Sequence, residues 1–216
     1  MEMLIDSIKE SGVLIPIVVR PKDKEYEILS GHRRIYACKM AGIDKVPAII
    51  RELSRDEAVI FMVDSNLHRE GLLPSEKGFA YKMKLEAMKH QGRTSDQVGQ
   101  KLTSVQALAD SSSDSKTQVQ RYIRLTFLEK PLLDLVDEGR IALTPAVELS
   151  RLLPEEQRNL IETIESEDCT PSLSQSVRMR KLSNDGLLTM DKIFEIMTEV
   201  KGNQVEVLKI PTDRVR

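Results

Sequence analysis

The chain has 216 residues, of which 40% are apolar, 31% are charged and only 4% are aromatic. This composition indicates a folded protein with one large or two small domains, and its aliphatic cores favour helices. The formal net charge of −2 and a pI near 6.0 argue against a protein that coats nucleic acid over its whole surface, although local basic surfaces stay open.

Membrane, secreted and metal-binding classes find no support in the sequence. No apolar run approaches the roughly 20 residues that cross a membrane, and the N-terminus lacks a signal-peptide pattern. Cys38 and Cys169 lie far apart, and the histidines are scattered without metal-site spacing. We therefore expect a cytoplasmic protein without a membrane partner.

The first 71 residues carry both helix and strand patterns. In chain order, these patterns predict a helix closed by Gly12, a strand over 15–20, a turn from Pro21 to Lys24, a strand over 25–29, a helix over 31–41 stopped by Gly42, a strand over 46–50, and a helix from a capping-box-like start at 54–57 to about His68. The segment reads as a small α/β domain.

Strand signals disappear after about residue 72. Pro74 at a helix start and Gly92 as a stop predict a long helix that ends near His90. Shorter helices are predicted over 95–101, 104–110, 115–128, 131–138, 144–152, 154–166, 172–182 and 189–200. We therefore expect an α+β, mostly helical chain. Its domains are predicted over 1–71 (α/β), 72–182 (all-α) and 183–216 (a helix and a polar tail).

Ser30 to Arg34 read Ser-Gly-His-Arg-Arg and lie where a predicted strand becomes a predicted helix. The first-turn N–H groups of a helix have no partner inside the helix, the helix dipole is positive there, and arginine matches phosphate oxygens. The motif therefore suits an anion. An equally open interpretation is that Gly31 only makes the turn while the arginines lie on a solvated face.

Asn66 and Glu70 are four residues apart, so on one helix they point the same way. They could share a divalent ion such as Mg²⁺, which takes one or two protein oxygens, while Arg69 reaches a phosphate. Taken alone, the same pattern also describes a solvated helix end with one side-chain hydrogen bond.

Residues 104–125 form a helix-turn-helix pattern. A short apolar helix leads into a polar serine-rich turn, and a second helix buries Val119, Ile123 and later Phe127. Its other face carries cationic, amide and hydroxyl side chains suited to bases and phosphates. The candidate DNA-binding residues are Ser115, Lys116, Thr117, Gln118, Gln120, Arg121 and Arg124. Any two packed helices joined by a serine turn share this pattern, and that alternative stays open. Ser112 occupies a position where such motifs often carry an apolar residue.

Taken together, these boxes resemble the ParB/Spo0J/Noc family of DNA-partition proteins over about residues 3–182. The boxes that carry the resemblance are Gly12–Pro21 (GVLIPIVVRP), Gly31–Arg34 (GHRR), Val46–Ile49 (VPAI), Asn66–Glu70 (NLHRE), Leu73–Glu76 (LPSE) and the helix-turn-helix. Their order and spacing make the match more specific than any single box. The residues within these boxes are similar to those of the family branch found on conjugative and other mobile elements of Gram-positive bacteria.

The resemblance implies a small ParB-N-like (sulfiredoxin-like) domain followed by an all-α DNA-binding domain. It implies that the N-terminal domain binds CTP or another nucleoside triphosphate with Mg²⁺ and acts as a clamp on DNA. The nucleotide residues it implies are Gly12, Ile15, Pro16, Gly31, His32, Arg33, Arg34, Asn66, Arg69 and Glu70. Asn66 and Glu70 would face the metal.

The implied partners are double-stranded DNA, as a palindromic site, and a second copy of the chain. The implied location is on the nucleoid or a plasmid. Whether a ParA-type ATPase is also a partner stays open. The chain begins close to the first box and lacks the leading arm that recruits such an ATPase in the family. The sequence also stops without an evident family C-terminal dimerisation domain, so either the sequence is truncated or these parts are absent.

Three positions depart from the family pattern. His32 and Ser65 stand where hydrolysing members carry glutamate, so we expect a site that binds a triphosphate and hydrolyses it poorly, if at all. Ile15 replaces the usual glutamine before the proline of the first box, which weakens the case for cytosine as the base.

Other functions remain as alternatives. One is a transcriptional repressor of a mobile element with a vestigial nucleotide site, and another is a weak nucleoside triphosphatase. A sulfiredoxin-like phosphotransferase is set aside because Gly31 occupies the position of its nucleophilic cysteine. Cys38 lies on the apolar side of the predicted helix, which does not favour a reactive thiol.

Overall fold

A computed structural model describes residues 1–67, 69, 71–94, 104–110, 112 and 114–199. Within these ranges the chain forms eleven helices and one three-stranded sheet, which confirms the expected mostly helical α+β class. None of the helices in this part of the chain combines the length and the apolar character that a membrane span requires. Packing divides the chain into two compact units, between Ile123 and Arg124.

The first unit contains the sheet and six helices among the described residues. Its elements are α1 (Glu2–Ser11), β1 (Ile17–Lys22), β2 (Glu25–Ser30), α2 (His32–Ala41), β3 (Ala48–Ile50), α3 (Arg55–Leu67), α4 (Pro74–Thr94), α5 (Ser104–Asp110) and α6 (Lys116–Leu125), the last of which crosses into the second unit. The strand predicted over 46–50 is shorter than expected.

The sheet has the order β2-β1-β3, with β1 antiparallel to β2 and parallel to β3. The predicted turn at Pro21 is wrong, because Pro21 lies in β1 opposite Tyr26. Val19 accepts a hydrogen bond from the Arg51 N–H on the β3 side. The backbone nitrogen of Pro21, two residues later, lies on the same side of the strand as the Val19 carbonyl. At that position β3 has already ended. The missing N–H of proline is therefore harmless there.

Local capping chemistry sets the ends of α2 and α3. Gly42 ends α2 with a φ of 72°, as predicted. The capping box at the start of α3 is also confirmed. The Ser54 N–H donates to Glu57 at 2.8 Å, and the Glu57 N–H donates to the Ser54 hydroxyl at 3.3 Å. The bond from the Ser54 N–H, followed by a bond from the Ser54 hydroxyl, stabilises the charged carboxylate and holds the pKa of Glu57 below its ordinary value.

The longest helix, α4, presents one stripe to two different neighbours. Lys77, Tyr81 and Lys84 follow an i, i+4, i+7 spacing and so share a face. Lys84 is 3% exposed and its Nζ lies 2.5 Å from the carboxylate of Asp64 on α3. Tyr81, 2% exposed, packs with Leu108 of α5. The α4 helix thus connects the α/β region to α5 and α6.

The predicted stop at Gly92 is also wrong, because α4 continues to Thr94. Glycine is tolerated inside a helix at a cost of about 1 kcal/mol relative to alanine, and packing along α4 offsets a cost of that size. The predicted helix over 95–101 and the polar tail from 201 lie outside the described residues.

The second unit contains five further helices among its described residues. They are α7 (Lys130–Asp137), α8 (Leu143–Leu149), α9 (Pro154–Glu167), α10 (Leu173–Asn184) and α11 (Met190–Thr198). Two buried glutamines bond to backbone groups of neighbouring segments in this core. Gln157 bonds the backbones of Phe127, Glu129 and Leu152. Gln175 donates to the carbonyl of Ile196 at 2.6 Å. These bonds satisfy amides that would be costly to bury unpaired.

Phe127 does not extend the buried face of α6 as predicted, because it lies beyond the helix and is 53% exposed. The unit boundary at 123/124 differs from the predicted domain limits at 71/72 and 182/183. Those limits remain predictions.

Candidate functional site: a helix N-terminus and a helix-turn-helix

The start of α2 is held against β1 by a glycine that no other residue can replace without strain. Gly31 is the N-cap, with a φ of 105°. A Cβ at this position would lie 2.6 Å from Cγ2 of Ile17 and 3.3 Å from its Cα. Both the backbone angle and the contact therefore require glycine. The predicted turn at Gly31 is present, and it brings the first turn of α2 to the beginning of the sheet.

Backbone amides are available at this helix start. The N–H groups of Arg34 and Ile35 donate to the Gly31 carbonyl. No side chain caps the helix, and among the described residues the amides of His32 and Arg33 have no acceptor. Unpaired first-turn amides and the positive end of the helix dipole attract an anion.

The two arginines of this turn have different surroundings. Arg33 is exposed and has no hydrogen-bond or ion-pair partner within the described part of the chain. Arg34 donates from one nitrogen, Nη1, to the carbonyl of Ile15 at 2.5 Å and to that of Pro16 at 2.7 Å. Arg34 therefore holds the loop before β1, whereas Arg33 is open to solvent.

His32 lines a groove of about 750 Å³ between β2 and the buried side of α3. Arg55 and Met62 of α3 also line the groove. Arg20 donates to Glu27 at 2.6 Å along its wall, and this bond, together with Lys22, lowers the pKa of Glu27. Of the predicted nucleotide-binding residues that the structure describes, His32 alone lines this groove.

The end of α3 carries the residues predicted to bind metal. The Asn66 amide donates to the Met62 carbonyl at 2.8 Å, and the Ser65 hydroxyl donates to the same carbonyl at 2.9 Å. Asn66 is exposed, and its side-chain oxygen accepts no hydrogen bond from the described residues. Arg69 is exposed. Glu70 lies outside the described residues, so the predicted pairing of Asn66 with Glu70 stays a prediction.

The helices α5 and α6 join through the predicted polar turn. Val119 of α6 and Leu108 of α5 are fully buried. Ser115 caps α6 by accepting from the Gln118 N–H at 3.3 Å. The Ser112 hydroxyl donates to the Ala109 carbonyl, which explains why a polar residue fits this turn.

A brace from α4 fixes this turn, and sequence reasoning missed it. The Tyr81 hydroxyl donates to Asp114 at 2.6 Å, and Lys77 Nζ lies 3.3 Å from the same carboxylate oxygen. Lys77 also lies 5.0 Å from the ring centre of Tyr122. Burial, followed by the bond to Asp114, raises the pKa of Tyr81 to about 12. The spacing of Lys77 and Tyr81 was the available signal, but the distant partner Asp114 cannot be read from it.

Most of the predicted DNA-binding residues lie on the exposed side of α6 or its cap. Gln118 is half-buried, and Arg124 is half-buried with its guanidinium 5.0 Å from the ring centre of Phe127. The exposed members are Ser115, Lys116, Thr117, Gln120 and Arg121. The side chains of this face are thus presented to solvent at helical spacing, as a major-groove reader requires.

Comparison with known proteins places the N-terminal region in a named family. Residues 1–67 match the ParB N-terminal domain family. The chain is 33% identical over 154 residues to the chromosome-partitioning protein Spo0J of Thermus thermophilus, which covers 71% of this chain and 52% of that protein. It is 34% identical over 140 residues to the stage 0 sporulation protein J of Bacillus subtilis, covering 65% of this chain and 45% of that protein.

Among solved structures, the chain is similar to the C-terminally truncated chromosome-partitioning protein ParB from Caulobacter crescentus complexed to the centromeric parS site. The TM-score is 0.51 with 23% identity, covering 83% of this chain and 87% of that one. At this identity the likeness shows a shared fold. The chain spans about half the length of the curated relatives it matches.

Proposed function

Because the chain belongs to the ParB/Spo0J/Noc family, we propose that it is a sequence-specific DNA-binding protein of partition type, with a nucleotide-responsive N-terminal domain. The observation that carries this proposal is the α5–α6 helix-turn-helix, whose outer face carries five exposed polar or cationic residues above a buried apolar seam. The proposed partner is double-stranded DNA bearing a palindromic site, bound by two copies of the chain, in the cytoplasm on a nucleoid or plasmid.

Two kinds of contact are assigned to the exposed face of α6. Lys116, at the first turn, is suited to a phosphate, since it supplies a point charge near the helix N-terminus. Gln120 and Arg121 lie farther along the same helix and match the bidentate patterns of adenine and guanine. Specificity then comes from the middle of α6, and affinity from its N-terminal end.

The proposed second ligand is a nucleoside triphosphate, CTP by family likeness, with its phosphates at the start of α2. The close contact of Gly31 with Ile17, the free amides of His32 and Arg33, and the unpaired Arg33 side chain fit a phosphate group. Asn66 offers one oxygen to Mg²⁺, which would neutralise part of the triphosphate charge when bound. Exposed Ser65 and His32 supply no carboxylate at the positions where hydrolysing members carry one, so slow hydrolysis is expected.

The test is binding of the palindromic duplexes found beside the gene, by fluorescence anisotropy. Arg121→Ala should weaken binding of the cognate duplex by at least tenfold, and should weaken a scrambled duplex much less. Arg151→Ala, in the second unit and also exposed, is the charge-matched control. Equal losses for the two variants would contradict the assignment of α6 as the reading helix.

Nucleotide binding is tested separately by calorimetry with CTP, ATP, GTP and UTP in the presence of Mg²⁺. We expect at least one triphosphate to bind wild-type protein, and Arg33→Gln to abolish that binding. Specific DNA binding without any triphosphate binding would instead favour a bare repressor with a vestigial site.

A further inference from the structure

The strand β2 is one edge of the sheet, and part of its backbone is open to a partner. In the order β2-β1-β3, β1 lies on one side of β2, and no strand among the described residues lies on the other. The Ile17 N–H and the Val19 carbonyl bond on the β3 side, so the alternate residues of β1 point their backbones towards β2. Arg20 is one of these, and its ladder partner Glu27 therefore points its own backbone inward, towards β1.

The two residues that flank Glu27 in β2 point their backbones away from the sheet. Because backbone direction alternates along a strand, the N–H and C=O groups of Tyr26 and Ile28 lie on the side opposite β1. None of these groups has a hydrogen-bond partner within the described part of the chain. Unpaired N–H and C=O groups along a sheet edge are a template on which another extended chain can pair.

The groove beside His32 follows this edge of the sheet. Four consecutive residues of β2, Tyr26 to Leu29, line it. Since successive side chains of a strand point to opposite faces, a groove on one face would be lined by alternate residues only. Ala58, Val59 and Met62 line the groove from α3. An added strand would lie about 4.8 Å from β2, and the groove volume of about 750 Å³ accommodates its side chains.

The charge of the groove lining favours one kind of strand. The lining contains three cationic side chains, Arg20, Lys22 and Arg55, and one carboxylate, Glu27. Glu27 already accepts bonds from Arg20 at 2.6 Å and from Lys22 at 3.2 Å. Arg55 is exposed and has no partner within the described residues. The lining is therefore positive, with one guanidinium free to bind a carboxylate.

A second copy of β2 is a poor fit to this edge. An antiparallel two-fold pairing that used both free amides would set Tyr26 of one copy opposite Ile28 of the other. Glu27 would then lie directly opposite its own equivalent, and like charges in that position destabilise a strand pair. The edge therefore suits a strand of different sequence.

We propose that the β2 edge and its groove are a docking surface for an extended, acidic segment of a partner protein, which adds to the sheet as a strand beside β2. The backbones of Tyr26 and Ile28 supply the pairing, and Arg55 binds a carboxylate of the segment. Of the predicted nucleotide-binding residues that the structure describes, this surface includes His32 alone. The inference goes beyond the proposed DNA and nucleotide functions and does not depend on them.

The probe is a fluorescein-labelled octapeptide of alternating valine and glutamate. Its charge-reversed control is the octapeptide of alternating valine and lysine. Fluorescence anisotropy with the full chain should show saturable binding of the glutamate peptide and at least tenfold weaker binding of the lysine peptide, because the groove lining is positive.

Two substitutions at one position separate the backbone from the side chain. Tyr26→Ala removes the ring and keeps the N–H, whereas Tyr26→Pro removes both. Proline is tolerated on an edge strand where the lost N–H points away from the ladder. Tyr26→Pro should bind the glutamate peptide at least tenfold more weakly than Tyr26→Ala, with the fold of each variant checked by circular dichroism.

Hydrogen exchange of the wild-type protein gives the same test without a substitution. The glutamate peptide should slow exchange of the Tyr26 and Ile28 amides. The Glu27 amide should be unchanged, because it already faces β1. This measurement decides the matter if Tyr26→Pro does not fold.

The charge contribution is tested with Arg55→Gln, which should weaken binding of the glutamate peptide at least fivefold. Arg158→Gln, at an exposed arginine of the second unit, is the matched control and should bind the peptide like wild type. Equal affinities of these two variants would remove Arg55 from the docking surface and contradict the proposal.

Three further results would overturn the inference. One is a lack of saturable binding of the glutamate peptide, and another is unchanged exchange of the Tyr26 and Ile28 amides in its presence. The third is complete displacement of the peptide by CTP with Mg²⁺, which would assign the groove to the nucleotide. Dimerisation of the free chain in analytical ultracentrifugation that Tyr26→Pro abolishes and Tyr26→Ala does not would assign the edge to a second copy instead.

Discussion

The two candidate binding surfaces of the first unit are built from different parts of the chain. At the start of α2 the polar groups are mainly backbone amides, placed by the contact of one glycine with Ile17. On α6 the polar groups are side chains, and the turn that precedes the helix is held by the hydrogen bond between Tyr81 and Asp114. The first surface should fail when the backbone is disturbed or when Arg33 is replaced, whereas the second should fail one side chain at a time.

The largest expected effect comes from Gly31→Ala. The added methyl would overlap Ile17, and the left-handed φ would add strain, so we expect a loss of about 3 kcal/mol in the free energy of unfolding, together with loss of triphosphate binding. Urea unfolding measures the first and calorimetry the second. Gly42→Ala is the control, because Gly42 has a similar φ of 72° with nothing near its Cβ position, and should cost only about 1 kcal/mol. Equal costs would mean that the Ile17 contact is unimportant.

The second effect is on the brace beneath α6. Tyr81→Phe removes the bond to Asp114 and should cost about 1 kcal/mol of stability and weaken DNA binding, since the turn before α6 loosens. Because the folded pKa of Tyr81 is raised to about 12 from an ordinary 10, its contribution is complete below pH 10 and is lost as the pH rises towards 12.

The measurement for this variant is urea unfolding as a function of pH. The stability difference between wild type and Tyr81→Phe should shrink over the interval from pH 10 to about 12. Tyr36→Phe, at an exposed tyrosine on α2, should show neither change. A constant difference across that interval would show that the phenol is not held neutral by the fold.

A third effect isolates a single side chain of the DNA face. Lys116→Ala should reduce the slope of log affinity against log salt by about 0.9 and weaken all duplexes by a similar factor, because one phosphate contact is lost. Lys39→Ala, an exposed lysine in the last turn of α2, serves as control and should leave the slope unchanged. A loss confined to the cognate duplex would assign Lys116 to a base instead.

The smallest expected effect is a side-chain change at the backbone-built site. His32→Glu keeps the amide of His32, so CTP affinity should fall by no more than about threefold, roughly 0.7 kcal/mol. It also restores a carboxylate where hydrolysing relatives carry one, so phosphate release in the presence of DNA should rise. A tenfold loss of affinity in calorimetry would show that the site depends on the His32 side chain as well as on its backbone amide.

The comparison also explains what the sequence could reveal. Caps depend on residues within one or two turns, so the Ser54–Glu57 box and the glycines that bound α2 were predictable from spacing. The tolerance of Pro21 in β1 was not predictable, because it depends on where β3 ends.

The remaining features that the sequence did not predict depend on contacts between residues far apart in the chain. The anion-binding character of the motif could be predicted from Gly31 and the two arginines. The sequence alone, however, gives no reason to distinguish one arginine from the other. Only the fold shows that Arg34 is used by the carbonyls of Ile15 and Pro16. The Tyr81–Asp114 bond joins residues 33 positions apart, and no local pattern encodes such a pairing.

The stripe on α4 has a consequence for how the first unit folds. Through Lys84 and Tyr81 the same helix face holds α3 on one side and the turn before α6 on the other. Neither neighbour can detach without breaking a buried contact on α4. We therefore expect amide hydrogens in α3 and α6 to exchange through one shared opening event. A cut at the predicted boundary of residue 71 would separate α3 from α4 and remove the contact of Asp64 with Lys84, while α4 would stay with α6.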